Sequence, residues 1–115
     1  MDNYFNQSRL DREKMYSEML ESYQEILANP DVSQEQKSSA QDGITKVNSQ
    51  RNSIMIAENL IKNKGFQDII IFVNNESVSA VVRSDNLETA DIAQIQSIIQ
   101  RELNINVENI HISNK

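Results

Sequence analysis

The chain has 115 residues, enough for one domain with its own core and too few for two comfortable ones. Apolar residues make up 38%, but only three Phe and three Tyr are aromatic, so the core must be built from Ile, Val, Leu and Met. A net charge of −6 repels phosphate backbones and anionic lipid heads, and the lack of cysteine excludes disulfides, thiol chemistry and thiolate metal sites.

A first helix is expected over residues 3–28. Tyr16, Met19, Tyr23, Ile26 and Leu27 recur at three- and four-residue steps and give one apolar stripe, and Pro30 stops the helix. A second helix is expected from Ser33, which has the capping-box spacing to Gln36. It continues through Ala40, Ile44, Val47, Ile54, Ala57 and Ile61 to Gly65, a suitable residue just past a helix end. Gly43 costs about 1 kcal/mol there relative to Ala, so the first turns are expected to be loose or broken.

The period then changes from helical to extended. Over residues 68–73, Ile69, Ile70, Ile71, Phe72 and Val73 are apolar on both parities, as in a central strand. Asn74-Asn75-Glu76 is turn chemistry, and Val78, Ala80 and Val82 alternate with polar residues, so a β-hairpin is expected. A third helix over about residues 89–102 takes Thr89 as its N-cap, with Ile92, Ile95, Ile98, Ile99 and Leu103 on its apolar face. A short last strand is expected through residues 106–113. The fold class is α+β, in the order α-α-β-β-α-β, with the second and third helices side by side on one face of a three-stranded sheet. No apolar run approaches the roughly 20 residues that span a bilayer.

Catalytic equipment is sparse. His111 is the one histidine, and an imidazole acting as a base needs a nucleophile or second acid–base group beside it; a strand residue facing solvent is the plainer reading. Glu18, Glu21 and Glu25 share a helical face, as solvated charges commonly do. Asp85, Asn86 and Glu88 are too few for an oxygen-ligand metal loop. No cofactor or metal is expected. The α-β-β-α-β order is shared by KH domains, which bind nucleic acid. Their GXXG clamp is missing, because Gly43 and Gly65 stand alone.

Two features favour protein docking. Met15, Tyr16, Met19 and Tyr23 cluster on the first helix, where ordinary packing on the second helix is the alternative. A three-stranded sheet also has two edges able to accept a partner strand, unless Glu76, Arg83, Glu108 and Lys115 keep them solvated.

The run YFNQSRLDREKMYSEMLESYQEILANPDVSQEQKSSA, followed by LIKNKGFQDIIIFVNNESVSAVVRSDNLETADIAQIQSIIQRELNINVENIHIS, resembles the extracytoplasmic domains of the stage III sporulation protein AH family of endospore-forming bacilli. The resemblance implies a non-enzymatic scaffold in the channel between mother cell and forespore. It implies stage II sporulation protein Q as the partner, self-association into a ring, and no nucleic-acid ligand. It also implies that the domain meets a membrane only through an N-terminal anchor outside this chain, and lies between the two cells' membranes. Residues 1–32 would join to that anchor, and residues 33–115 would form a ring-building motif like those of type III secretion and flagellar basal-body rings. The expected partner interface combines Tyr16, Met19 and Tyr23 with Asn75, Glu76, Ser77, Val78 and Ser79 of the hairpin and Asn109, Ile110, His111 and Ile112 of the last strand.

Overall fold

The structure is a computed structural model that describes residues 4–115, so Asn3, the first residue of the expected leading helix, lies outside the described residues. Helix α1 (Tyr4–Ala28) ends just before Asn29-Pro30, where proline lacks the N–H a further turn needs. Helix α2 (Gln34–Asn63) opens on the expected capping box. The Gln36 N–H donates to Ser33 Oγ at 3.1 Å and the Ser33 N–H donates to Gln36 Oε1 at 3.0 Å. The α2 helix exits through Gly65, whose φ of 109° is open only to glycine at low cost.

Strands β1 (Ile69–Asn74) and β2 (Ser77–Val82) pair antiparallel, with Ile71 opposite Ala80. Helix α3 (Thr89–Leu103) then crosses back, and β3 (Ile110–Asn114) pairs parallel to β2, with Ser79 opposite His111. Residues Val107–Asn109, expected as the start of the last strand, form a 3-10 turn ahead of it. Helices α2 and α3 pack against each other and against the sheet. The core between them is aliphatic: Ile54, Ala57 and Ile61 from α2, Ile95, Ile98 and Ile99 from α3, and Ile69, Ile71, Val78, Ala80, Val82 and Ile110 from the sheet. Burying each such side chain contributes about 1.5–3 kcal/mol.

Three expectations need correction. The central strand is β2, because the sheet order is β1-β2-β3 and β1 is an edge. Its apolar character on both parities has another cause. Ile69 and Ile71 face α2 and α3, whereas Ile70 points to the opposite face and is still fully buried. Helix α1, which contacts β1 and carries buried Phe5 and Ser8 near that end, supplies the cover. An edge strand wrapped on both faces therefore reads like a central one.

Gly43 neither breaks nor loosens α2. A Cβ there would stand 2.6 Å from Tyr23 Cε1 and 2.8 Å from Cε2, so the glycine is the seat of the Tyr23 ring. Thr89 is the first residue of α3 rather than its N-cap. That position is held by Glu88, whose N–H donates to Asp91 Oδ2 at 3.1 Å.

Helix α1, packed through Phe5 and Tyr16, is also fastened by charge. Arg9 forms a two-pronged pair with Asp68, at 3.0 Å to Oδ1 and 2.9 Å to Oδ2. Burial alone would raise the Asp68 carboxyl. Hydrogen bonds from Arg9 and the Ile69 N–H, with the charges of Arg9 and Lys62, outweigh that and hold it below the usual carboxylate range. The Asp68 hydrogen bonds raise the Arg9 guanidinium in turn.

Two outcomes are expected. Gly43→Ala normally strengthens a helix by about 1 kcal/mol. Here it should lower stability by about 1–3 kcal/mol in urea unfolding, because the new methyl displaces Tyr23, and a Tyr23→Ala background should remove most of that loss. A lowered carboxylate contributes stability above its unfolded pKa and loses it as pH falls through the folded one. Wild-type stability should therefore decline below about pH 4 more steeply than that of Asp68→Asn, which should also melt lower at pH 7.

Candidate protein-docking surface

Two asparagines with positive φ shape one end of the molecule. Asn75 (φ 57°) turns β1 into β2, and Asn104 (φ 51°) takes the chain out of α3. Asparagine tolerates the left-handed region better than other residues with side chains, because its short amide bonds locally. Between these bends lies an open groove of about 470 Å³. Ser49, Gln50 and Ser53 of α2 form one wall, and Glu102 to Asn106 with Asn109 form the other. Val73 and Val78 lie at the sheet side, and Asn75 and Glu76 at the hairpin tip. The lining is rich in amides and hydroxyls, with apolar Val73, Val78, Leu103 and Ile105 among them, so it suits an extended peptide better than an ion.

The adjoining edge of the sheet belongs to β3. By strand order its outer side has no neighbouring strand among the described residues. The opposite edge, at β1, is shut. The Ile71 N–H donates to Glu58 Oε2 at 2.8 Å, and the Ile71 carbonyl accepts from Arg12 Nη1 at 2.8 Å. The same guanidinium nitrogen reaches Glu58 Oε2 at 2.7 Å, in a pair whose side chains are only 10% and 12% exposed. Of the two edges expected to be available, one is therefore plugged by side chains.

The hairpin and last-strand residues of the expected interface come together. Val78 faces Ile110 and Ser79 faces His111 across the parallel pair, and Asn75, Glu76, Val78 and Asn109 share the groove. Within this group Asn75, Glu76, Ser79 and His111 are exposed, Ser77, Asn109 and Ile112 are half-buried, and Val78 and Ile110 lie in the core. The helical residues are elsewhere. Tyr16 is 7% exposed in the α1–α2 seam, with the Arg51 guanidinium 5.0 Å above its ring, and burial pushes its hydroxyl up from the usual range. Tyr23 is half-buried over Gly43, and Met19 is 36% exposed. The His111 side chain makes no hydrogen bond or ion pair among the described residues, and these contain no cluster of three or more His, Cys, Asp and Glu suited to a metal ion. The sequence reading overlooked Asn104, Asn106 and the α2 wall. Asn-x-Asn just beyond a helical period is the signal for the first two; the α2 wall depends on tertiary packing and leaves no local mark.

Comparison with known proteins agrees with this architecture. A solved structure described as the SpoIIQ–SpoIIIAH pore forming complex contains a chain that superposes with a TM-score of 0.89 at 22% identity, covering 99% of this chain and 98% of that one. Stage III sporulation protein AH of Bacillus subtilis (strain 168) is 26% identical over 102 residues, or 89% of this chain and 47% of that protein. The chain thus spans about half the length of the curated relative it matches. Among the described residues no helix is long and apolar enough to cross a membrane. The family model for SpoIIIAH-like protein matches residues 1–112, nearly the whole chain, and the chain belongs to that family.

Proposed function

We propose that this chain is a non-catalytic scaffold of the mother cell–forespore channel. It binds stage II sporulation protein Q across the space between the two membranes and assembles with its own copies into a ring. Residues 1–32 join the domain to a membrane anchor, and residues 33–115 are the ring-building unit. The reading is supported by family membership and by the likeness to a chain from a complex with SpoIIQ. The observation that carries the choice of surface is the meeting of an unpaired β3 edge with the amide-lined groove at the hairpin end. An extended partner segment finds backbone groups to pair with along β3 and a mixed polar and apolar slot beside it. The exposed members of the interface are Asn75, Glu76, Ser79 and His111, with Ser77, Asn109 and Ile112 contributing at their rims. Met19 lies on exposed α1 surface and belongs to the interface only where the partner reaches that helix. With a net charge of −6 and no GXXG loop, nothing favours a KH-like nucleic-acid reading.

The test is co-elution with the extracellular domain of stage II sporulation protein Q at micromolar concentration. Ser79→Arg and His111→Glu alter exposed side chains and should leave the melting temperature near wild type. Each should weaken the complex by about tenfold or more in titration calorimetry. A wild-type chain that elutes alone sinks the partner assignment; variants that bind like wild type sink the surface assignment.

A further inference from the structure

Charge is unevenly spread along the molecule, whose longest extent is 54 Å. Residues 17–50 form the far half of the α1–α2 hairpin. They carry six carboxylates, among them Glu25, Asp31 and Glu35 near the turn, against only Lys37 and Lys46. The opposite end gathers cations. Helix α2, about 45 Å long by its rise, stops there with exposed Lys62 followed by exposed Lys64. Arg83 and Lys115, both exposed, line an open cleft beside them with Gly65, Phe66 and Asp85. The Lys115 ammonium stands 4.5 Å from the centre of the Tyr4 ring, which puts the start of α1 at the same end. Asp68 is occupied by Arg9 at 2.9 Å and Lys62 at 3.6 Å, and Glu88 and Asp91 are taken up in the capping of α3. Among the described residues Asp85 is the remaining carboxylate of this end. Helices α1 and α3 begin here and α2 stops here, so the helix dipoles add a net positive contribution. The charge of −6 on the whole chain hides this division.

We infer that the end bearing Lys62, Lys64, Arg83 and Lys115 docks on an anionic lipid bilayer, which holds the domain upright with the acidic half of the hairpin pointing away. The inference rests on the proposed reading, in which the chain passes from the start of α1 to a membrane anchor, and adds that the domain itself meets the headgroups. On that reading the start of α1 brings the cationic end, and not the acidic one, to the bilayer. Negative headgroups attract the near end and repel the far one, so both favour the same orientation. The attraction decays within a Debye length, about 10 Å at 0.1 M salt, so carboxylates some 45 Å away do not offset it. A flexible polyanion such as a nucleic acid would also reach the remaining negative surface, which a flat bilayer touching one end avoids. The Tyr4 ring beside Lys115 is of the amphipathic kind that gathers at headgroup depth. The amide-lined groove lies at the other end of the strands, by the β1–β2 turn, so lipid contact leaves it open to a protein partner.

The chain has no cysteine, so Met1→Cys offers a single point for coupling to a lipid, which holds the whole chain at a nanodisc surface as an anchor would. Discs of phosphatidylcholine alone are compared with discs of phosphatidylcholine and phosphatidylglycerol in equal parts. Each carries a gadolinium headgroup that broadens nearby amide signals. Broadening over residues 62–67 and 83–86 should be about threefold or more stronger in the anionic discs, and residues 29–36 should escape it. Added salt should bring the two discs together. Lys64→Glu/Arg83→Glu should abolish the difference between them. Lys14→Glu/Lys46→Glu has the same net charge, but alters exposed positions about 15 and 24 Å along their helices from this end, and should keep the difference. The inference is overturned if neutral and anionic discs give the same pattern, if residues 29–36 broaden along with the cationic end, or if the two double variants behave alike. Co-elution of the uncoupled chain with the protein partner is measured alongside. Its loss strikes the proposed function, whereas normal co-elution without a lipid-dependent difference strikes only this inference.

Discussion

Arg12, Glu58 and the backbone of Ile71 close a ring of hydrogen bonds at the outer edge of β1. Three separate segments meet there, and the position of each depends on the others. Glu58 comes from the same face of α2 that sends Ala57 and Ile61 into the core, so the core sets its height against the sheet. Arg12 then fixes α1 against β1, which in turn seals Ile70 on the far face. Withdrawing either charge would leave the other nearly buried, a situation that typically costs about 3–5 kcal/mol. An apolar cover of similar volume could supply as much stability. It could not satisfy the Ile71 N–H and carbonyl, and buried main-chain groups left unpaired are strongly penalised.

The result is a sheet with unequal edges. Strand β1 is enclosed on both faces and plugged at Ile71, while β3 pairs with β2 on one side and has α3 behind it. Burial follows the same division. All of Ile69, Ile70 and Ile71 are fully buried, whereas β3 buries Ile110 alone and exposes His111 and Ser113. The exposed side chains of β3 and the hairpin end lie beside the groove, which the two left-handed asparagines frame by holding the chain bends on either side of it.

Most of the secondary structure could be read from the residues because local chemistry and tertiary need agree. Ser33 and Gln36 cap α2, Gly65 ends it, and the shift from a helical period to Ile69–Val73 marks the first strand. The misreadings all occur where a distant residue decides. Gly43 looked like a flaw in α2 until Tyr23, twenty positions earlier by the numbering, was placed on it. The strand order was misjudged because an apolar run reports burial, and burial of Ile70 is supplied by α1 rather than by flanking strands. Of the segments expected to dock a partner, the parallel register brings two together, Asn75–Ser79 and Asn109–Ile112. Tyr16 of the same expectation lies in the α1–α2 seam, because stripe periodicity does not distinguish a face turned to a neighbouring helix from one turned to a partner.

The single open edge constrains how the domain can work in an assembly. A partner strand paired along β3 caps the sheet and leaves no edge for another copy, so partner docking and edge-to-edge growth exclude each other on that strand. A partner held in the groove alone, through Asn75, Glu76 and Asn109, leaves β3 free. Growth by sheet extension inside a partner-bound assembly therefore requires groove docking, and a partner that takes the edge instead directs neighbouring copies to other contacts. The geometry turns a question of stoichiometry into one of which main-chain groups on β3 the partner occupies.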